Sequence, residues 1–205
     1  MTKRGKFIVL EGGEGSGKGT IVAHLQKALQ NENVIFTREP GGTPLGEKLR
    51  ALIFSEKMCT MSELLLFEAG RAEHAEKVII PALARGTHVI CDRFDASTAA
   101  YQIEARWKKQ HAKFFDLVNS VVVAGAIPDL YLFCDILPEV ALERRRIAGG
   151  EINRFDNEEL DFHKAVYRGY KKFFKQKRFV AIDATRGIPE VVALAEKIVR
   201  NELEL

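Results

Sequence analysis

The chain is poor in the residues that mark several large protein classes. It has three cysteines in 205 residues, Cys59, Cys91 and Cys134. Their odd number, wide spacing and mostly apolar neighbours oppose a disulfide framework or a zinc site and fit buried thiols in a reducing compartment. No apolar run approaches the ~18 residues that a membrane-spanning helix needs. The basic residues 1–6 precede only four apolar residues before Glu11, too few for the apolar region of a secretory leader. Charge of either sign is not in excess, since 31 Lys and Arg against 28 Asp and Glu leave a net +3. That balance offers no electrostatic case for nucleic acid or a membrane surface. Repeats, low-complexity tracts and Pro/Gly/Ser-rich linkers are missing as well. The expectation is a cytoplasmic protein with residues 1–205 in a single domain, for which a hydrophobic content of 46% is ample.

Short apolar runs at 7–10, 34–37, 87–91, 130–134 and 179–182 alternate with longer amphipathic stretches. The runs read as strands and the stretches as helices. Alternation of this kind predicts an α/β fold, a five-stranded parallel sheet with helices on both faces in three layers. In such sheets ligands bind beyond the carboxyl ends of the strands, so the residues after each run are the ones to inspect.

After the first run comes Gly12-Gly13-Glu14-Gly15-Ser16-Gly17-Lys18-Gly19-Thr20, followed by a helical pattern. Strand, glycine-rich turn and helix form a phosphate cradle, in which backbone N–H groups and the helix N-terminus face the anion and Lys18 reaches its oxygens. The hydroxyl that usually follows the lysine, and would hold Mg2+, is replaced by Gly19, with Thr20 one position late. After the third run, Asp92 and Arg93 stand where phosphoryl transfer needs a carboxylate and a guanidinium fork; an internal ion pair is the plainer alternative. After the second run, Arg38-Glu39-Pro40-Gly41-Gly42-Thr43-Pro44 demands a fixed loop near the same edge. Arg50, farther along, is either a site residue or a solvated helix charge. Phe67 and Arg71, four apart on a helix, share a face. Taken locally they read as a core Phe beside a surface Arg. Residues 144–156 pass from a helical pattern through two glycines into a charged loop, the pattern of a short lid bearing arginines. Phosphoryl transfer depends chiefly on alignment and charge neutralisation, so the lack of an obvious catalytic histidine is no objection.

These motifs together resemble the thymidylate kinases, P-loop nucleoside monophosphate kinases that make dTDP from dTMP and ATP. The similarity runs along Leu10-Glu11-Gly12-Gly13-Glu14-Gly15, Thr37-Arg38-Glu39-Pro40-Gly41-Gly42-Thr43, Leu66-Phe67-Glu68-Ala69-Gly70-Arg71-Ala72-Glu73-His74 and Asp92-Arg93-Phe94-Asp95-Ala96-Ser97-Thr98, continued by Tyr101-Gln102. It extends to Pro128-Asp129-Leu130 and Arg154-Phe155-Asp156. The resemblance implies the P-loop kinase fold and a dTMP pocket of Glu14, Glu39, Arg50, Phe67, Arg71, Arg93, Ser97, Thr98 and Tyr101. In it Phe67 would stack on thymine, Arg71 and Thr98 would bond its polar edge, and Tyr101 would crowd the sugar 2′ position. ATP would lie on residues 12–20, helped by Arg146 and Arg154 from the lid, as in the bacterial type. Lys18, Arg93, Arg154, Glu14 and Asp92 would be catalytic, and Mg2+ would be held by phosphates and water near Glu14 and Asp92. A homodimer is also implied.

The chain departs from the family pattern at Gly19, at Asn153, where Asp is usual before the arginine, and in the diverged residues 103–126. The basic residues at 106, 108 and 109 read as a solvated helix face. Gly-Lys-Gly-Thr leaves open another nucleoside monophosphate kinase. A noncatalytic nucleotide switch is opposed by the lack of Asn-Lys-x-Asp and Asp-x-x-Gly motifs and by the arginine-rich flap.

Overall fold

The computed structural model describes residues 3–107, 109–149 and 154–205. Among these, five strands form one parallel sheet: β1 (Phe7–Glu11), β2 (Val34–Arg38), β3 (His88–Asp92), β4 (Leu130–Asp135) and β5 (Phe179–Asp183), in the order β2-β3-β1-β4-β5. Each expected strand is present, with boundaries shifted by a residue or so.

Alternate residues of the central strands supply two cores. Phe7, Val9, Val89, Cys91, Tyr131 and Phe133 face one layer, while Ile8, Leu10, Ile90, Leu132 and Cys134 face the other. That period-two division makes the fold three-layered, because every residue of β1 is buried and needs cover on both sides. One layer comprises α1 (Lys18–Ala28), contributing Ile21 and Leu25, and α9 (Ile188–Leu203), contributing Ala195 and Val199. Burying Ile21, Leu25 or Val199 stabilises the fold by about 2 kcal/mol each, and the single methyl of Ala195 by less.

The opposite layer holds α2 (Pro44–Ser55), α3 (Thr60–His74) and α4 (Ile80–Ala84), with a π-helical turn at Ala75–Ile79 joining the last two. Thr43 starts α2 by accepting from Gly46 N at 2.9 Å, and Pro44 takes the first helical position, where no N–H is required. Next come α5 (Asp95–Thr98), running into a wider π-helical stretch at Ala99–Arg106, α6 (Ala112–Val122), α7 (Pro138–Ala148) and α8 (Leu160–Phe173).

Two expectations need correction. Cys91 and Cys134 are buried, but Cys59 is exposed beside the first turn of α3. The basic stretch after Ile103 is not simply a solvated face, since Arg106 pairs with Glu158 at 2.7 Å and approaches Glu63 at 3.8 Å. Lys108 lies outside the described residues.

Candidate active site

Three strand ends meet through the backbone. Leu10 pairs with Asp92 across β1 and β3, Arg93 N donates to Leu10 O at 2.9 Å, and Glu39 N donates to Asp92 O at 2.9 Å. The segments after β1, β2 and β3 therefore leave the sheet side by side, which is how residues far apart in sequence share one cleft.

The glycine-rich turn wraps the start of α1. Gly15 has φ +70°, and an added Cβ would run into the carbonyl of Ala141 and lie 3.1 Å from Arg145 Cβ. The base of α7 thus leaves no room for a side chain at position 15. At Gly19 an added Cβ meets nothing within 4 Å, so packing leaves room for a side chain there. Thr20 is exposed. Lys18 folds over the turn, its Nζ donating to Gly12 O at 2.9 Å and Gly13 O at 3.3 Å, and burial lowers its pKa. Those carbonyls hold the ammonium where a phosphate oxygen would compete for it.

Arg93 adopts φ +68°, a left-handed conformation uncommon for a residue with a side chain. The turn swings its guanidinium into the cleft. Nη2 donates to Glu14 Oε1 at 2.9 Å, and Nη1 donates to Ser97 Oγ at 3.2 Å and the Tyr170 hydroxyl at 3.0 Å. Tyr101, from the π-helical stretch, donates to the same Glu14 oxygen at 3.0 Å. Burial works against charge on Glu14, but Arg93, Lys18 and the Tyr101 bond outweigh it and hold the carboxyl below its ordinary range. Asp92 is not simply an internal partner for Arg93: its Oδ1 is buried with no hydrogen-bond partner, as is Ser16 Oγ in the turn.

The neighbouring cleft is an open pocket with a cavity volume of ≈ 160 Å³. Its walls include Glu14, Glu39, Arg50, Phe67, Arg71, Arg93, Ser97, Thr98 and Tyr101, with Asp92 at the edge shared with the cradle. The local reading of Phe67 and Arg71 is inverted here. Arg71 is 1% exposed whereas Phe67 is only half-buried. A buried guanidinium must be paired, and three donors are used: Nε to Glu39 Oε2 at 2.9 Å, Nη2 to Thr98 Oγ1 at 2.9 Å, and Nη1 to Glu68. Glu39 is itself braced by His74 Nδ1 at 2.9 Å, and His74 Nε2 lies 2.7 Å from Thr37 Oγ1. The net effect is to fix the face that Arg71 presents to the cleft. Arg50 donates to Pro40 O at 3.0 Å and lies over the Phe54 ring, 4.7 Å from its centroid.

The two lid arginines are not brought to the cradle. Arg146 is exposed and pairs with Glu143 at 2.7 Å, because Ala141 and Arg145 occupy the face of α7 turned to Gly15 and position 146 lies ~100° round the helix. Arg154 is 2.7 Å from buried Glu63 of α3, out of line for a hydrogen bond, and its guanidinium packs 4.6 Å from the Phe155 centroid. The middle of the expected lid, including Asn153, lies outside the described residues.

Several residues in or around the site have no role read from the sequence: Phe54 and Phe155 line the cleft, Glu11, Glu68, His74 and Tyr170 bond the residues that line it, and Arg145 lies against Gly15 of the cradle. Glu11 does carry a signal, being a carboxylate that closes an otherwise apolar strand beside the cradle. Phe155 reaches the cleft wall through edge-on contacts with Phe54 at 5.9 Å and Tyr101 at 5.7 Å, which spacing along the chain does not reveal.

Comparison with known proteins agrees with this geometry. The family model described as thymidylate kinase matches residues 10–195. A thymidylate kinase of Shouchella clausii (strain KSM-K16) is 44% identical over 197 residues, covering 92% of each chain. One from Synechococcus sp. (strain JA-3-3Ab) is 44% identical over 202 residues, 96% of each. One from Caldicellulosiruptor saccharolyticus is 38% identical over 206 residues, 98% of each. A phosphate cradle joined through Glu14 and Arg93 to an aromatic and arginine cleft, with near full-length similarity of this degree, has one reading: the chain belongs to the thymidylate kinase family.

Proposed function

We propose that the chain transfers the γ-phosphoryl group of ATP to dTMP, yielding dTDP and ADP and so supplying dTTP for DNA synthesis, with Mg2+ as cofactor. The observation that carries this reading is the contact of Glu14 with both Arg93 and Tyr101, which joins the cradle to the cleft. Donor phosphates lie against the N–H groups of residues 12–20 and draw Lys18 from the Gly12 and Gly13 carbonyls. In the cleft Phe67 stacks on thymine, Arg71 and Thr98 meet its polar edge, and Tyr101 crowds the sugar 2′ position. Glu39 holds Arg71 in place. Arg93 and Arg50 take the acceptor phosphate, with Ser97 supporting Arg93. That phosphate is already ionised at neutral pH, so no strong general base is required; alignment and positive charge do the chemistry.

The unpartnered oxygens of Asp92 and Ser16 suit a hydrated ion carried in with the phosphates. Among the described residues no group of three or more His, Cys, Asp or Glu side chains is placed to hold a metal ion, which favours such a shell over an all-protein cage. Bound near Asp92, Mg2+ would neutralise phosphate charge.

The protein is further proposed to work as a cytoplasmic homodimer. Phe114, Leu117 and Val121 expose one apolar face of α6, and Leu65 on the adjoining α3 is exposed too, a surface that a second copy would cover. No helix among the described residues is long and apolar enough to cross a membrane.

The test is a coupled ADP-release assay with ATP and Mg2+ against dTMP, dUMP, UMP, CMP, AMP and GMP. Turnover is expected with dTMP foremost. Strong preference for an acceptor other than dTMP or dUMP refutes the proposal, and no turnover with any of them points to a nucleotide switch.

A further inference from the structure

Glu11 closes β1 and is fully buried, yet the phosphoryl transfer outlined above does not use it. Its carboxylate is divided between two sets of donors. Oε1 accepts from the backbone N–H groups of Phe94 at 2.8 Å and Ser97 at 3.2 Å, where the chain enters α5. Oε2 accepts from the hydroxyls of Ser97 at 2.7 Å and Tyr170 at 3.1 Å. These are the same two hydroxyls that receive Arg93 Nη1, at 3.2 and 3.0 Å. Arginine only donates, so both hydroxyls must offer it lone pairs; the Ser97 proton turns to Glu11, its shortest contact at 2.7 Å, while that of Tyr170 turns to Glu11, to Ser97 Oγ at 2.9 Å or to Gly12 O at 3.3 Å. The backbone bonds from Phe94 and Ser97 brace the left-handed turn at Arg93 as well. Glu11 therefore restrains Arg93 from both its backbone and its guanidinium.

We propose that Glu11 is a positioning residue that acts through Ser97 and Tyr170 to aim Arg93 at the acceptor phosphate. This rests on the reading of Arg93 as the group that binds that phosphate. Glutamine at position 11 keeps the shape and one acceptor oxygen, but its amide nitrogen donates where Oε2 accepted. Both hydroxyl bonds are then reversed at an arginine that needs acceptors.

Calorimetric titration with dTMP at about pH 8, above the Glu11 value of about 7 so that the group is ionised, tests this. Glu11→Gln is expected to weaken dTMP binding roughly tenfold, the scale of a disturbed charge-assisted hydrogen bond, and to leave the KM for ATP unchanged. The decisive comparison is made in Arg93→Ala, where adding Glu11→Gln is expected to weaken dTMP no further. Equal loss in both backgrounds, or no loss in the single variant, overturns the inference. Should Glu11→Gln not fold, Tyr170→Phe takes its place in both backgrounds: a loss confined to the Arg93 protein supports the inference, and an equal loss or none overturns it. A wild-type protein that neither binds nor phosphorylates dTMP overturns the functional reading and this inference with it. Full wild-type activity beside an unaffected Glu11→Gln overturns the inference alone.

Discussion

The stability of Glu11→Gln relative to wild type should rise as pH passes through neutrality. Burial raises the Glu11 carboxyl from 4.5 to about 7, against the opposing pull of Arg93 and the bonds from Ser97 and Phe94. In the unfolded chain the group loses its proton above about 4.5, whereas the folded protein keeps it until pH passes about 7. Between these values the native state binds more protons than the unfolded state, so unfolding free energy falls as pH rises. Stability from this group is complete below the unfolded value and is lost through the folded one. The interval corresponds to roughly 3 kcal/mol, a large share of the ~5–15 kcal/mol typical of a domain. Glutamine cannot ionise and escapes this loss. Urea unfolding of both proteins near pH 5 and near pH 8 should show the stability of Glu11→Gln relative to wild type rising by roughly 2–3 kcal/mol at the higher pH. A difference that does not change with pH would refute the assignment of this stability to Glu11 ionisation. The same variant is expected to bind dTMP less well, so the ionised carboxylate would contribute to binding in the pH range where it weakens the fold.

Gly15→Ala should lower both kcat and the melting temperature, because its left-handed backbone and the Ala141 carbonyl force α7 away from the turn. A loss of about 1–3 kcal/mol is expected in thermal unfolding, and an unchanged transition would contradict the packing described. Arg154→Ala should destabilise the fold by about 2 kcal/mol, since Glu63, 2% exposed, loses an ion pair, while kcat stays near wild type. A fall in kcat at constant dTMP KM would instead show that Arg154 leaves Glu63 for the donor phosphates during turnover.

Some side-chain roles are legible along the chain because their signals are local. Gly12 to Lys18 after an apolar run specifies a cradle by backbone sterics and one lysine, and the strands declare themselves by short, continuous apolar runs. Arg71 is misread locally because nothing within a helical turn announces that Glu39, from another loop, and Thr98, from another helix, will enclose it. Arg145 rather than Arg146 lies against the cradle because facing is decided by how α7 packs on Gly15. Arg154 depends on Glu63, 91 residues away in sequence, a pairing that no motif encodes.

By itself the sequence determined the α/β/α layering, the phosphate cradle and the family, since alternation, turn chemistry and motif spacing are properties of neighbouring residues. Only the tertiary structure decided which charges face one another. Register across β1 and β3 puts Arg93 beside Leu10, and α8 brings Tyr170 to Glu11 across 159 positions. A buried carboxylate or guanidinium is stable only where its partners converge, and that convergence is a property of the folded chain.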